Sequence, residues 1–212
     1  MINIQSRKVL RELWGNKART LLVVLSIAVG VFAVGAIANS WIVLLNDLNS
    51  AYMATNPASA VLSVGPFDDD LVSAVEGMRE VTDAEGRSSI IVKMTTLDGA
   101  LINLNLDAVD DYRNLTISRI TPESGAWPPA RRQLLLERSW EEELGFNVGD
   151  PVRIEMPNGQ KYDLVIAGYA HDLHRPPAGN TELAYGYVSM DTLQWLGEPR
   201  AYNQLYLTVA EN

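Results

Sequence analysis

His171 and His174 are the only histidines of the chain, and they lie three residues apart in "AHDLHRPP", with Asp172 between them. That residue type and spacing can supply metal ligands or an acid–base pair. A catalytic zinc site usually draws on three protein ligands, and no third is evident in the sequence. Arg175-Pro176-Pro177 stops any helix that would aim both imidazoles at one point, so the segment reads as a loop. Asp68, Asp69 and Asp70 would suit a cation, yet they also sit where a helix begins, and helix N-termini favour acids through the backbone dipole. Glu141, Glu142 and Glu143 read as a solvated helix face. There is no Gly-x-Ser-x-Gly nucleophile elbow and no GxxxxGK[ST] phosphate loop. With no cysteine there is neither a disulfide framework nor a thiolate nucleophile or metal ligand. Asn114-Leu115-Thr116 matches a glycosylation sequon, a pattern common by chance. The expectation is therefore no catalytic residue, no cofactor and no metal, with an exported hydrolase built on His171, Asp172 and His174 as the enzyme alternative.

The charge divides the chain in two. Residues 1–19 carry five basic side chains (Arg7, Lys8, Arg11, Lys17, Arg19) and one acid, net +4, so the total of -9 leaves -13 for residues 20–212. Nucleic-acid binding needs clustered Lys and Arg to neutralise phosphates, and the acidic remainder speaks against it.

From Thr20 to Asn46 there is no charged residue, and about 20 mostly apolar residues suffice to cross a hydrocarbon core. A cleaved signal peptide is the competing reading, since Ala36-Ile37-Ala38 has the A-x-A form. The apolar run continues beyond that site through Trp41, Ile42, Val43, Leu44 and Leu45, which favours a retained membrane helix. Before it, Val9, Leu10, Leu13 and Trp14 share one face of an amphipathic, interfacial helix. The basic flank is the positive-inside anchor that keeps the N-terminus cytoplasmic and the acidic domain outside. Within the span, Ser26, Gly30 and Ala33 share a face at i, i+4 and i+7, where small residues let another helix approach closely.

Beyond a connector broken at Asn56-Pro57, period and turn signals predict strand, helix, strand, strand: "SAVLSVG", "DDDLVSAVEGMREV", "SSIIVKMTTL" and "LINLNLDAV". A β-rich block follows. It holds a turn-rich "ESGAWPPARR", the short strand "QLLLE", a short helix opened by a Ser139 capping box and ended by Gly145, and the hairpin strands "DPVRIEM" and "KYDLVIAGYA" around Asn158-Gly159. The last stretch returns to strand, short helix with Asp191 as its cap, and strand. Trp127, among glycine and prolines, is a candidate partner contact.

Two stretches carry a resemblance: "LRELWGNKARTL", Leu10 to Leu21, extending to Leu22, and "LGFNVGD", Leu144 to Asp150, followed by a strand ending near Gly168. In this order the chain resembles the permease subunits of MacB/FtsX-type ABC transporters. The resemblance implies an α+β fold: one N-terminal transmembrane helix, then an extracytoplasmic domain of βαβ-type porter halves with an inserted β-rich subdomain. The expected organisation is 1–19 cytoplasmic amphipathic helix, 20–46 transmembrane helix, 47–57 connector, 58–117 and 184–212 α/β porter-like part, and 118–183 inserted β-rich subdomain. It also implies a non-catalytic subunit in the cell membrane that works with an ABC-type ATPase and a second permease copy. The family's further membrane helices do not follow in this sequence, so an N-terminal portion of a longer permease is expected. The alternative is a single-pass, membrane-anchored binding module with no transport role. The transported substrate has no signature here.

Overall fold

The computed structural model describes residues 17–210. The amphipathic segment expected before Lys17, with Arg7, Lys8 and Arg11, lies outside the described residues. Contact density divides the chain into a unit ending at Ala51 and a second unit from Tyr52 onward.

The first unit is helical. Helix α1 runs Lys17–Ala54, 38 residues, none of them buried, and includes a window of mean hydropathy 2.8. At 1.5 Å per residue it is about 57 Å long, well above the span of a hydrocarbon core. It is apolar on every face, so its exterior suits lipid rather than one protein surface. The helix passes through most of the expected connector and stops only at Ala54, just before Asn56 takes a positive φ of 53°.

The second unit is a sheet-rich α+β domain. Its elements are β1 (Ala60–Phe67), α2 (Asp69–Glu76), β2 (Val81–Thr95), β3 (Leu101–Val109), β4 (Thr121–Gly125), β5 (Gln133–Glu137), α3 (Glu141–Leu144), β6 (Pro151–Glu155), β7 (Lys161–His171), β8 (Leu183–Ser189), α4 (Met190–Trp195) and β9 (Tyr202–Val209). The strand order is β1-β9-β2-β3-β8-β5-β7-β4, and β6 pairs with both β2 and β7. Following the pairings β2-β3-β8-β5-β7-β6 and back to β2 traces a closed barrel. Parallel contacts occur in β3/β8 and β5/β7. The closing contact is short: Lys93 and Met94 of β2 face Glu155 and Ile154 of β6.

Inward alternation explains the barrel core. Val92 and Met94, Leu104 and Leu106, Leu134 and Leu136, Val152 and Ile154, Leu164 and Ile166, and Ala184 and Val188 form one buried cluster. Each fully buried aliphatic side chain there contributes roughly 1.5–3 kcal/mol. Residues 118–183 supply β4 to β7, and the stretches on either side supply β2, β3 and β8, so the core is continuous across both. The β1-β9-β2 ribbon extends from the barrel. On it, Val75 of α2 packs on Ala84 and Leu205.

Strand β2 is the main departure in length. "SSIIVKMTTL" marks only its barrel half. The strand begins seven residues earlier, at Val81, because its polar first half, Val81 to Arg87, pairs with β9 in the ribbon. Part of the turn-rich "ESGAWPPARR" pairs as β4 with β7. Two caps also differ. Glu137, not Ser139, closes the turn before α3, accepting from the Ser139 N–H at 2.8 Å, and Trp140 precedes α3 without a capping side chain. Helix α4 is capped by Ser189, which accepts from Thr192 N, while Asp191 sits in its first turn and binds Arg200 at 2.9 Å.

At Gly125 the backbone has φ 81°, and an added Cβ would lie 2.1 Å from the Ala167 carbonyl oxygen. Gly159 has the same φ, 81°, with nothing within 4 Å of the added atom. Gly125→Ala is expected to lower stability by roughly 3 kcal/mol and Gly159→Ala by about 1 kcal/mol. Chemical denaturation of both variants in detergent checks this. Equal losses would mean that the β4/β7 approach is not tight.

Candidate functional site

In the second unit Arg87 is buried and Arg175 is partly buried, its side chain 20% exposed, and guanidinium groups withdrawn from water call for paired carboxylates. Arg87, at the end of the ribbon half of β2, is 3% exposed. Its Nε donates to Glu85 at 2.7 Å, and Nη2 donates to the Ile117 carbonyl. The guanidinium also lies 4.1 Å above the Tyr206 ring. Arg175, past β7, donates to Asp107 of β3, stands 3.6 Å from Asp172 and lies 4.9 Å from the Tyr185 ring centre. Burial opposes the charge on both groups, but the neighbouring carboxylates outweigh it and hold both above the ordinary arginine range.

The carboxylates are satisfied in turn. Asp107 accepts from Asn105 at 2.8 Å, and Asn105 accepts from Ser89. Asp172 accepts from the Tyr187 hydroxyl at 2.9 Å and from the His174 N–H at 2.9 Å. Burial first, and Asp172 second, push the Tyr187 hydroxyl well above its usual value.

These groups line a cleft of about 310 Å³, whose walls include Tyr52, Arg87, Asp172, His174, Arg175 and Tyr206. Glu85, Asp107 and Asp172 outnumber the two arginines, so no surplus positive charge is presented to an anion. What the cleft residues do is hold residues 52–58 in place. His174 Nε2 is 2.8 Å from Thr55 Oγ1, its ring is 5.0 Å from that of Tyr52, and Thr55 donates to the Tyr52 carbonyl. The exit from α1 is tied further by Asn56 Nδ2 to the Thr116 carbonyl, Ser118 N to the Asn56 carbonyl, Arg119 N to the Thr55 carbonyl and Arg119 Nη2 to the Ala54 carbonyl. Residues 52–58 are thereby strapped to 116–119 and to the 172–175 turn.

The two histidines part company. His174 joins this strap, while His171 closes β7 with Nδ1 3.9 Å from Glu137. Among the described residues no group of three or more His, Asp or Glu side chains has metal-holding geometry. Asp68 caps α2, accepting from Asp70 N at 3.2 Å. Ser26, Gly30 and Ala33 lie on α1, where a Cβ at Gly30 would meet nothing within 4 Å. Lys17 and Arg19 open the same helix. Trp127 is half-buried, edge-on to Tyr112 at 5.3 Å, and covers a satellite cluster that includes Val109, Leu115, Ile120 and Tyr187. Sequence reading passed over Arg87, Asp107 and Arg175. The available signal was in "LINLNLDAV", where Asn103, Asn105 and Asp107 alternate through an otherwise apolar strand.

The chain is similar in structure to the extracellular domain of the noncanonic ABC-type transporter YknZ from Gram-positive bacteria, at TM-score 0.49 and 11% identity, covering 71% of this chain and 82% of that one. It is also similar to the periplasmic region of MacB from Actinobacillus actinomycetemcomitans, at TM-score 0.47 and 8% identity, covering 72% and 74%. At these identities the likeness is one of fold alone. No family model matches the sequence, and no curated protein matches it.

Replacing Asp107 leaves the partly buried Arg175 with one fewer partner. Asp107→Asn should cost about 2 kcal/mol of stability, read by denaturant unfolding, while Asp163→Asn at the exposed Arg153 pair should leave the unfolding midpoint nearly unchanged. A second expectation concerns pH. Burial lowers the His174 pKa, with Asp172 opposing and Arg87 and Arg175 reinforcing the shift. A depressed folded-state value leaves stability intact above the ordinary histidine value of about 6.5 and removes it as pH falls through the folded-state value. The wild type should therefore lose its thermal advantage over His174→Gln between pH 7.5 and 5.5. A constant gap between the two midpoints would argue against this.

Proposed function

We propose that this chain supplies a membrane helix and the extracytoplasmic domain of an ABC transporter permease. Its extracytoplasmic domain would couple a partner ATPase cycle to the export or release of a substrate. The observation that carries the reading is α1: 38 helical residues with no buried side chain, continuing without a break to the strapped residues 52–58 of an acidic domain. A helix apolar on all faces is stable in lipid and costly in water. The entry motif from Leu10 to Leu22 and the "LGFNVGD" turn add the family resemblance.

In this reading Arg7, Lys8, Arg11, Lys17 and Arg19 hold the N-terminus in the cytoplasm. Ser26, Gly30 and Ala33 form the packing face toward a further membrane helix or a second permease copy. Trp127 is a contact for a partner outside the membrane. Residues 58–117 with 184–212 act as the porter-like part and 118–183 as its β-rich insert. ATP hydrolysis belongs to the partner ATPase. The alternative is the single-pass binding module, which needs neither the ATPase nor the small-residue face.

The absence of cysteine makes topology directly measurable. Glu142→Cys should react with a membrane-impermeant maleimide on intact cells, and Ser6→Cys should react only after lysis. An ABC-type ATPase should co-purify with the chain from its native membranes. Reversed labelling would overturn the orientation, and a membrane-retained chain with no associated ATPase would favour the binding module.

A further inference from the structure

Strand β1 is an unguarded sheet edge. Among the described residues it pairs only with β9, from Ala60 opposite Leu207 to Ser63 opposite Gln204, with an irregularity before Phe67. Its side chains are exposed on both faces: Val61 46%, Leu62 46% and Val64 44%. Free edges are normally blunted with charge, proline or shortness. The opposite edge, β4, obeys that rule, with five residues that include Pro122 and Glu123. In β1 only Pro66, near its end, serves this purpose, and from Leu48 to Phe67 no residue is charged.

We infer that the Ala60–Val64 edge is a pairing surface for a second copy of this chain, antiparallel across a two-fold axis. Three observations select that occupant. Two identical strands meeting across a two-fold axis are self-complementary by symmetry. Residues 20–212 carry a net charge of -13, so two copies repel over most of their surface and approach at least cost along an uncharged apolar strand. A basic partner would be drawn to the acidic surface instead. Finally, if α1 is membrane-embedded, as the proposed function holds, confinement to one plane raises the effective concentration and lets a short edge suffice.

The test uses the full chain in membranes, where each introduced cysteine is alone. Val61→Cys, Leu62→Cys, Ser63→Cys and Val64→Cys are oxidised with copper phenanthroline beside a control, Ser124→Cys, on the opposite edge. Only the residue at the two-fold axis meets its own copy. One of the four is expected to give a disulfide-linked band at twice the mass of the uncross-linked chain, with the control monomeric. The double variant Leu62→Lys/Val64→Lys alters positions that are already half-exposed, so folding is preserved. It should lower the detergent dimer fraction at least about fivefold by setting like charges opposite each other. Cross-linking no higher than the control, an adduct of another mass, or a dimer indifferent to the two lysines would overturn the inference. Retention after alkaline washing reads the membrane assignment separately, so a retained chain without β1 cross-links removes only this edge.

Discussion

Two guanidinium groups, one buried and one largely withdrawn from water, set the terms for the rest of the domain. An uncompensated buried charge costs several kcal/mol, so Arg87 and Arg175 draw partners from several parts of the chain. Arg87 binds Glu85 in its own strand and the carbonyls of 117 and 118. Arg175 reaches β3 through Asp107 and the preceding turn through Asp172. Asp172 in turn engages Tyr187 of β8 and the backbone of His174. The His174 side chain then reaches Thr55. Ribbon, barrel and helix exit are thus joined by one polar network whose members have few alternative arrangements, since each rearrangement would strand a buried charge.

The barrel supplies the stiffness that this network needs. Closure through β6 leaves few strand edges among the described residues, and a buried aliphatic cluster fills the interior. A closed, filled barrel deforms little because packed interiors have low compressibility. A displacement applied at residues 52–58 would therefore tend to move the domain as a body rather than be absorbed within it.

Much of the architecture was legible because period and turn chemistry are local. The Asn158-Gly159 hairpin, the acidic start of α2 and the uncharged span of α1 each follow from a few adjacent residues. What escaped depends on partners distant in sequence. The first half of β2, "VTDAEGR", is polar and lacks clean alternation, and it becomes a strand because β9, more than a hundred residues later, offers it a ladder. The caps were misplaced for a related reason: Glu137 and Ser189 compete with equally plausible neighbours, and the choice is made by where the buried strand ends. Arg87, Asp107 and Arg175 lie in different segments, and nothing local marks them as one cluster. The small-residue face of α1 was visible from spacing alone, whereas the exposed edge of β1 required the strand order.

The position of β1 beside β9 bears on how the molecule is made. Among the described residues β1 has no strand partner except β9, the last element of the domain, so an early segment waits for a late one. During synthesis, β1 and the polar half of β2 stay without their ladder until residues 202–209 emerge. Such late, long-range closure is slow compared with local folding. The ribbon is accordingly the last part of the domain to form, and for that interval an apolar, uncharged segment directly after α1 is open to the chaperones and proteases of its compartment.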